Sequence, residues 1–302
     1  MRGVSLICVF ALTLASTEVC LAQSSAFVSQ DLAIERAIAL GKSGQFEDGL
    51  KQLRPFLLKP TKEDAKACYV AGFLLKERFK KGSLGGDRAE AIRWLRKAVE
   101  LDGLHPAVAS WRNSAEKALD YLGDTYFNDV VLAVRTFEPG QEALIFELFE
   151  AHEEVATFLD PNLDAIEERT EIHKNLAIAY RQWFEVTGDH DHFEGIVDQY
   201  KQALALSPMD MTAAYNLAVN IYNRGVAQIT AMDENTTLPE ILSINESSRA
   251  LFERALPWFE KADMHQPNRP ETLRGLMIVH HALFHSEQEE AYRLQLEKAL
   301  MR

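Results

Sequence analysis

Apolar residues recur along most of the chain at spacings of three and four, the period at which side chains share one face of an α-helix. The recurrence itself repeats. Ala255, Phe259, Ala262 and Pro267 fall at spacings of 4, 3 and 5, and Ile196, Tyr200, Ala203 and Pro208 fall at the same spacings. Ala91, Leu95 and Ala98 repeat the first part, with Pro106 displaced by three residues. A second pattern precedes each of these. Leu217-Ala218 is followed by Ile221, Leu176-Ala177 by Tyr180, and Leu122-Gly123 by Tyr126. Two antiparallel helices pack closely where one presents Gly or Ala, here Ala177, Ala218 and Gly123, and the other a bulky residue such as Tyr200 or Phe259. A Pro lacks an N–H and disfavours helix in the residue before it, so it closes one hairpin and opens the next. Only Asp129–Phe137, with Val130, Val131, Leu132 and Val134, looks strand-like, and a helix continuation is expected there.

These residues resemble the tetratricopeptide repeat (TPR), in which Trp-x2-Leu-Gly-x2-Tyr marks a first helix, Ala-x3-Phe-x2-Ala a second, and Pro the exit. The resemblance implies an all-α chain: a TPR-like α-solenoid of six helix-turn-helix hairpins coiling into a right-handed superhelix. The hairpins are expected at about 31–60, 62–104, 105–161, 163–208, 210–267 and 269–301, in one domain over 23–302. Their quality is uneven. The first keeps Gly44-Gln45-Phe46 at its turn but has Gly49 where Ala is usual; the third has a degenerate second helix, and the fourth and fifth match best. Two insertions depart from the family. Thr187–His192 is expected to extend the turn of the fourth hairpin. Ala227–Ser248 reads as longer helices with a polar tip, the alternative being a lid-like loop over one face.

Composition bounds the function. The 302 residues carry 32 Lys+Arg against 45 Asp+Glu, a formal charge of −13. An anionic surface is a poor match for nucleic acid, which needs clustered basic residues. Met1–Ala22 reads as a secretory signal peptide: Arg2 at the start, an apolar stretch over Val4–Ala15, and small residues Cys20 and Ala22 before Gln23. That stretch is too short to span a bilayer, where ~20 apolar residues are needed. Glu18, two before Cys20, argues against a lipid-modified start. An exported protein, secreted or periplasmic in a bacterium, is therefore expected. Cleavage removes Cys8 and Cys20, so Cys68 is left without a disulfide partner, in an apolar helical context where it acts as core filler.

Catalytic patterns are weak. His281 and His285 stand at i and i+4, with His280 beside them, and could ligate zinc on one helix face, but no His-Glu-x-x-His is present. Asp189-His190-Asp191-His192 reads as a solvated polar turn, and Gly82–Gly86 as a connector rather than a phosphate loop. Asn235-Thr236-Thr237 and Asn245-Glu246-Ser247 fit the glycosylation sequon. No cofactor and no enzymatic activity are expected.

Binding is the better-supported reading. In a TPR array the first helices line a concave groove, and the register set at Leu176, Leu217 and Leu276 puts Lys174, Asn175, Tyr215, Asn216, Tyr222, Asn223 and Arg274 on the groove side. Asn can hold an extended backbone through both its donor and its acceptor, and Tyr adds flat amphipathic area. The set is similar to that of the carboxylate-clamp TPRs. However, Ile178, Glu271 and Gly275 stand where a clamp needs polar or basic residues. Acidic helix faces such as Glu147–Glu154, with the overall charge, favour a basic protein or peptide partner. The expectation is an exported, non-catalytic scaffold. Its alternatives are an accessory subunit of a solute-uptake system and a His-based metal binder.

Overall fold

The computed structural model describes residues 29–58, 60, 64–82, 86–102 and 111–301. Met1–Ala22 and its signal reading lie outside the described residues, as do 83–85 of the glycine-rich connector. Every regular element among the described residues is an α-helix. There are twelve, joined in six consecutive helical hairpins. They are α1 (residues 29–42) with α2 (Phe46–Leu57), α3 (Ala65–Lys80) with α4 (Gly86–Asp102), and α5 (Arg112–Arg135) with α6 (Glu142–Leu159). After these come α7 (Ile166–Thr187) with α8 (His190–Leu206), α9 (Met211–Thr230) with α10 (Leu238–His265), and α11 (Pro270–Ala282) with α12 (Ser286–Leu300). Among the described residues no helix is long and apolar enough to cross a membrane.

Local chemistry sets the turns. Gly44 ends α1 at φ 80°, a conformation that costs glycine no Cβ clash. Gly188 does the same after α7 at φ 67°, its N–H donating to the Phe184 carbonyl. Asp189 then caps α8 by accepting from the Asp191 N–H at 2.9 Å. That arrangement corrects the expected extended turn. Only Gly188 and Asp189 separate the two helices, and His190, Asp191 and His192 are the first turn of α8, because the cap residue and the glycine together complete a tight reversal. In the fifth hairpin the helices lengthen, α10 reaching 28 residues. Asp233 and Thr236 fold the short link, and Thr237 and Glu240 close a capping box at the start of α10. The apolar run from Asp129 continues α5 as helix to Arg135.

Contacts group the chain into two units. Among the described residues, unit 1 holds those up to Asn128 together with Glu150–Asn162, and unit 2 holds Asp129–Phe149 and those from Leu163 on. In unit 1, Ile34, Ala37, Leu53, Ala67 and Leu74 pack α1 to α3, and Leu75, Leu95, Leu119 and Leu122 carry the core on to α5. Arg78 at the end of α3 donates from Nε to Asp87 at 2.7 Å, tying it to the start of α4. Cys68 is fully buried, and burial pushes its thiol up to about 12.

Unit 2 has one continuous cluster of buried residues. Ala177, Ile196, Tyr200, Ala203, Leu217, Ala218, Phe259 and Ala262 are all buried in one cluster. Its interlocking parts are glycines seated under aromatic rings. A Cβ at Gly195 would stand 2.6 Å from the Tyr180 ring, one at Gly225 2.6 Å from Phe252, and one at Gly275 2.3 Å from Phe259. Each ring therefore lies directly on a helix backbone, which no larger residue allows.

Candidate partner-binding site

In unit 2 side chains join the first helices of the last three hairpins. Asp210 caps α9 by accepting from the Ala213 N–H at 2.9 Å, and its second oxygen accepts from Lys174 of α7, also at 2.9 Å. Lys174 reaches Glu171 as well. Burial works against the charge of this ammonium, but the hydrogen bonds to Glu171 and Asp210 outweigh it, so Lys174 titrates above its ordinary value. Most of its donor capacity is thus committed to holding α7 against α9. On the other side, Arg269 precedes α11, with its guanidinium 5.2 Å from the centre of the Tyr215 ring and 2.7 Å from Met211 Sδ.

Between these two joints α9 presents the expected residues. Tyr215 is half-buried, its ring edge-on to Phe259 at 6.0 Å. The Asn216 side chain hydrogen-bonds the buried Tyr200 phenol, whose pKa burial raises. Tyr222 rests against Phe252 at 5.0 Å, and burial likewise raises its phenol. Asn223 is exposed. Tyr222 stands seven positions after Tyr215, so the two are offset by about 10 Å along one face of α9. Asn175 is exposed on α7 and donates to the Glu171 carbonyl at 2.8 Å, and Arg274 is exposed on α11. The seven predicted residues therefore divide. Tyr215, Asn216 and Tyr222 are half-built into the core, Lys174 is consumed by ion pairs, and Asn175, Asn223 and Arg274 project into solvent. Arg269 and Met211 escaped the sequence reading because they sit at hairpin junctions, which the repeat pattern treats as linkers. The Pro at 270 marks that junction.

The histidines of the last hairpin are arranged differently from the expected metal pair. Helix α11 ends at Ala282, so His285 lies in the turn that precedes α12 and does not share a helix face with His281. Instead His285 Nδ1 faces His280 Nδ1 at 3.1 Å, and the buried His280 ring stacks on Tyr292 at 5.5 Å. Burial, then the neighbouring His285, hold His280 below the usual histidine range. His281 is exposed and meets Glu289 at 3.1 Å. Among the described residues no three His, Cys, Asp or Glu side chains converge as metal ligands do.

No family model and no curated protein matches this sequence. Several solved structures align loosely. MamA is 15% identical with a TM-score of 0.30, over 78% of this chain and 91% of its own. The nuclear import adaptor Nro1 of S. pombe is 12% identical with a TM-score of 0.34, over 89% and 90%. Acl4, an assembly chaperone of RpL4, is 12% identical with a TM-score of 0.24, over 90% and 76%. Likenesses this loose say nothing of partner or activity.

Proposed function

We propose that this protein is an exported, non-catalytic TPR-like scaffold that holds a protein or peptide on the face formed by α7, α9 and α11. The observation that carries the reading is the row on α9: Tyr215, Asn216, Tyr222 and Asn223 over two turns, with Asn175 and Arg274 exposed on the helices joined to it. Half-buried tyrosines are already ordered by Phe259 and Phe252, so a partner gains their area at little entropic cost. Exposed asparagines accept and donate without regard to the partner's side chains. Export rests on the signal-like segment Met1–Ala22.

The test uses the chain from Gln23, immobilised and exposed to cell-envelope extract, beside Asn175→Ala/Asn223→Ala/Arg274→Glu. All three changed side chains are exposed, so the variant keeps the fold. The expected result is a specific protein retained by the first and lost from the second. Equal recovery on both, or no specific protein at any ionic strength, refutes the reading. N-terminal sequencing of the exported product checks the leader, with Gln23 as its expected first residue.

A further inference from the structure

A second surface, wholly within unit 1, has chemistry that the proposed function leaves unused. On α3, Lys66, Tyr69, Phe73, Lys76 and Lys80 fall at i, i+3, i+7, i+10 and i+14, so they share one face of the helix. Trp111, just before α5, stacks on Tyr69 with ring centres 5.4 Å apart, and Phe73 tilts against Tyr69 at 6.1 Å. Lysines lie over this aromatic row. Lys76 Nζ is 4.4 Å from the Phe73 ring and 5.7 Å from that of Tyr121. Lys80 is 5.5 Å from Tyr121 and Lys66 5.6 Å from Trp111. Beside them Lys81 stands 4.8 Å from Phe46. A cavity of about 450 Å³ opens along this row against α1, with Ile38, Val70 and Leu74 in its wall and Lys42 and Lys81 beside them.

The charge of this face opposes that of the whole chain. Among the described residues, the carboxylates paired with these five lysines are Glu77, 3.1 Å from Lys76 and 3.9 Å from Lys80, and Asp31, 3.9 Å from Lys66. Lys76 and Lys80 thus share Glu77, which also lines the cavity, and among the described residues Lys42 and Lys81 have no ion-pair partner, in a protein whose formal charge is −13. A cluster of like charge held over apolar rings repels itself, and the repulsion is relieved when anions arrive between the lysines. The exposed Phe73 and the apolar cavity wall supply the other half of a recognition surface, a place for one buried side chain.

We propose that this face binds an acidic peptide segment of a partner protein: one aliphatic or aromatic side chain enters the cavity, and flanking Asp or Glu carboxylates pair with Lys42, Lys76, Lys80 and Lys81. The ligand is a peptide rather than a nucleic acid because the rings are already engaged. Tyr69 and Trp111 stack on each other and lysines cover Phe73 and Tyr121, so no open platform is left on which bases could stack. The site belongs to unit 1 and the α7, α9 and α11 face to unit 2, and either can fail without the other.

The test is fluorescence anisotropy with three labelled probes: an octapeptide of Asp and Glu around a central Phe, its Lys and Arg counterpart, and a single-stranded oligonucleotide. The acidic peptide is expected to bind saturably, and to weaken several-fold as NaCl rises from about 50 to about 300 mM. Lys42→Glu with Lys81→Glu, both at exposed positions, is expected to weaken it at least about tenfold. Phe73→Ala, which leaves the charge unchanged, is expected to weaken it as well, and Asn223→Ala on α9 to leave it unaltered. A basic peptide that binds as tightly, an oligonucleotide that binds more tightly, or indifference to the double lysine reversal overturns the proposal.

Discussion

Phe259 of α10 is wedged between two helices, edge-on to Tyr215 of α9 on one side and directly against the backbone of Gly275 in α11 on the other. The two residues should therefore be strongly coupled, with a change of sign. Phe259→Ala removes a ring that is 1% exposed, and truncation of a buried Phe costs about 3–5 kcal/mol. In a unit of this size that corresponds to a fall in melting temperature of about 10 °C. Gly275→Ala in the native background places a Cβ 2.3 Å from a ring carbon. The helix gains about 1 kcal/mol in propensity, but overpacking costs about 1–3 kcal/mol, so the net effect is neutral to destabilising by about 2 kcal/mol. In the Phe259→Ala background the obstacle is gone. The same Gly275→Ala substitution then keeps its propensity gain and stabilises by about 1 kcal/mol.

The assay is a double-mutant cycle by urea and thermal denaturation, followed by circular dichroism at constant protein concentration. The expected coupling is about 1–3 kcal/mol, with Gly275→Ala stabilising only when the ring is absent. Additivity within about 0.5 kcal/mol would refute the wedge. It would mean that α10 and α11 do not meet at these residues.

Three further outcomes follow from the structure. His173 and His280 are both held below the usual histidine value, mainly by burial, with His173 Nδ1 donating to Gln199 Oε1 at 2.8 Å. Their folded states disfavour the proton, so stability is fully present above pH ~6.5 and falls as pH drops below it, by at most about 1.4 kcal/mol per pH unit for each histidine. Urea midpoints at pH 7.5 and 5.5 check this, and equal midpoints refute it. Asp210→Ala removes both the α9 cap and the Lys174 partner and should cost about 1–2 kcal/mol, whereas Asp210→Asn keeps the cap and should cost less than about 1 kcal/mol. A urea midpoint unmoved by the alanine substitution would refute both roles. In the chain from Gln23, Cys68 should resist a thiol reagent at pH 8 in the folded state and react fully in urea, since burial raises its thiol to about 12. Rapid modification of the folded protein would show that α3 opens.

The helical hairpins were legible because their packing is written in short spacings. Ile196–Pro208 and Ala255–Pro267 repeat one interval pattern, and each became a second helix with its exit. What failed was local chemistry read as composition. Asp189 to His192 looked like a polar loop, yet one aspartate capping the next helix and one glycine in the left-handed region converted that polarity into a helix start. The glycines at 195, 225 and 275 went unnoticed for the opposite reason. A glycine inside a helix shows its purpose only when the ring that lies on it is known, and the three rings come from residues 15, 27 and 16 positions away.

The binding faces were harder to read because packing fixes only the buried side of a helix. Lys174 illustrates the difficulty: its position in the repeat marks it for a partner, but the cap of the next helix carries a second carboxylate oxygen that claims it. The intervals on α3 carried information the repeat register did not use. A lysine and aromatic row at i, i+3, i+7, i+10 and i+14 is a helix face in its own right, and it lies outside the two hairpins that match the repeat pattern best. Residues that keep a helical period outside the packing consensus form the outer side of the helix, and what they share is then a property of the surface even where, as with Tyr69, the ring also touches the core. On α3 that property is positive charge over aromatic rings. In a chain this acidic, the net charge argues for basic partners at long range, while the local row selects acidic ones on contact.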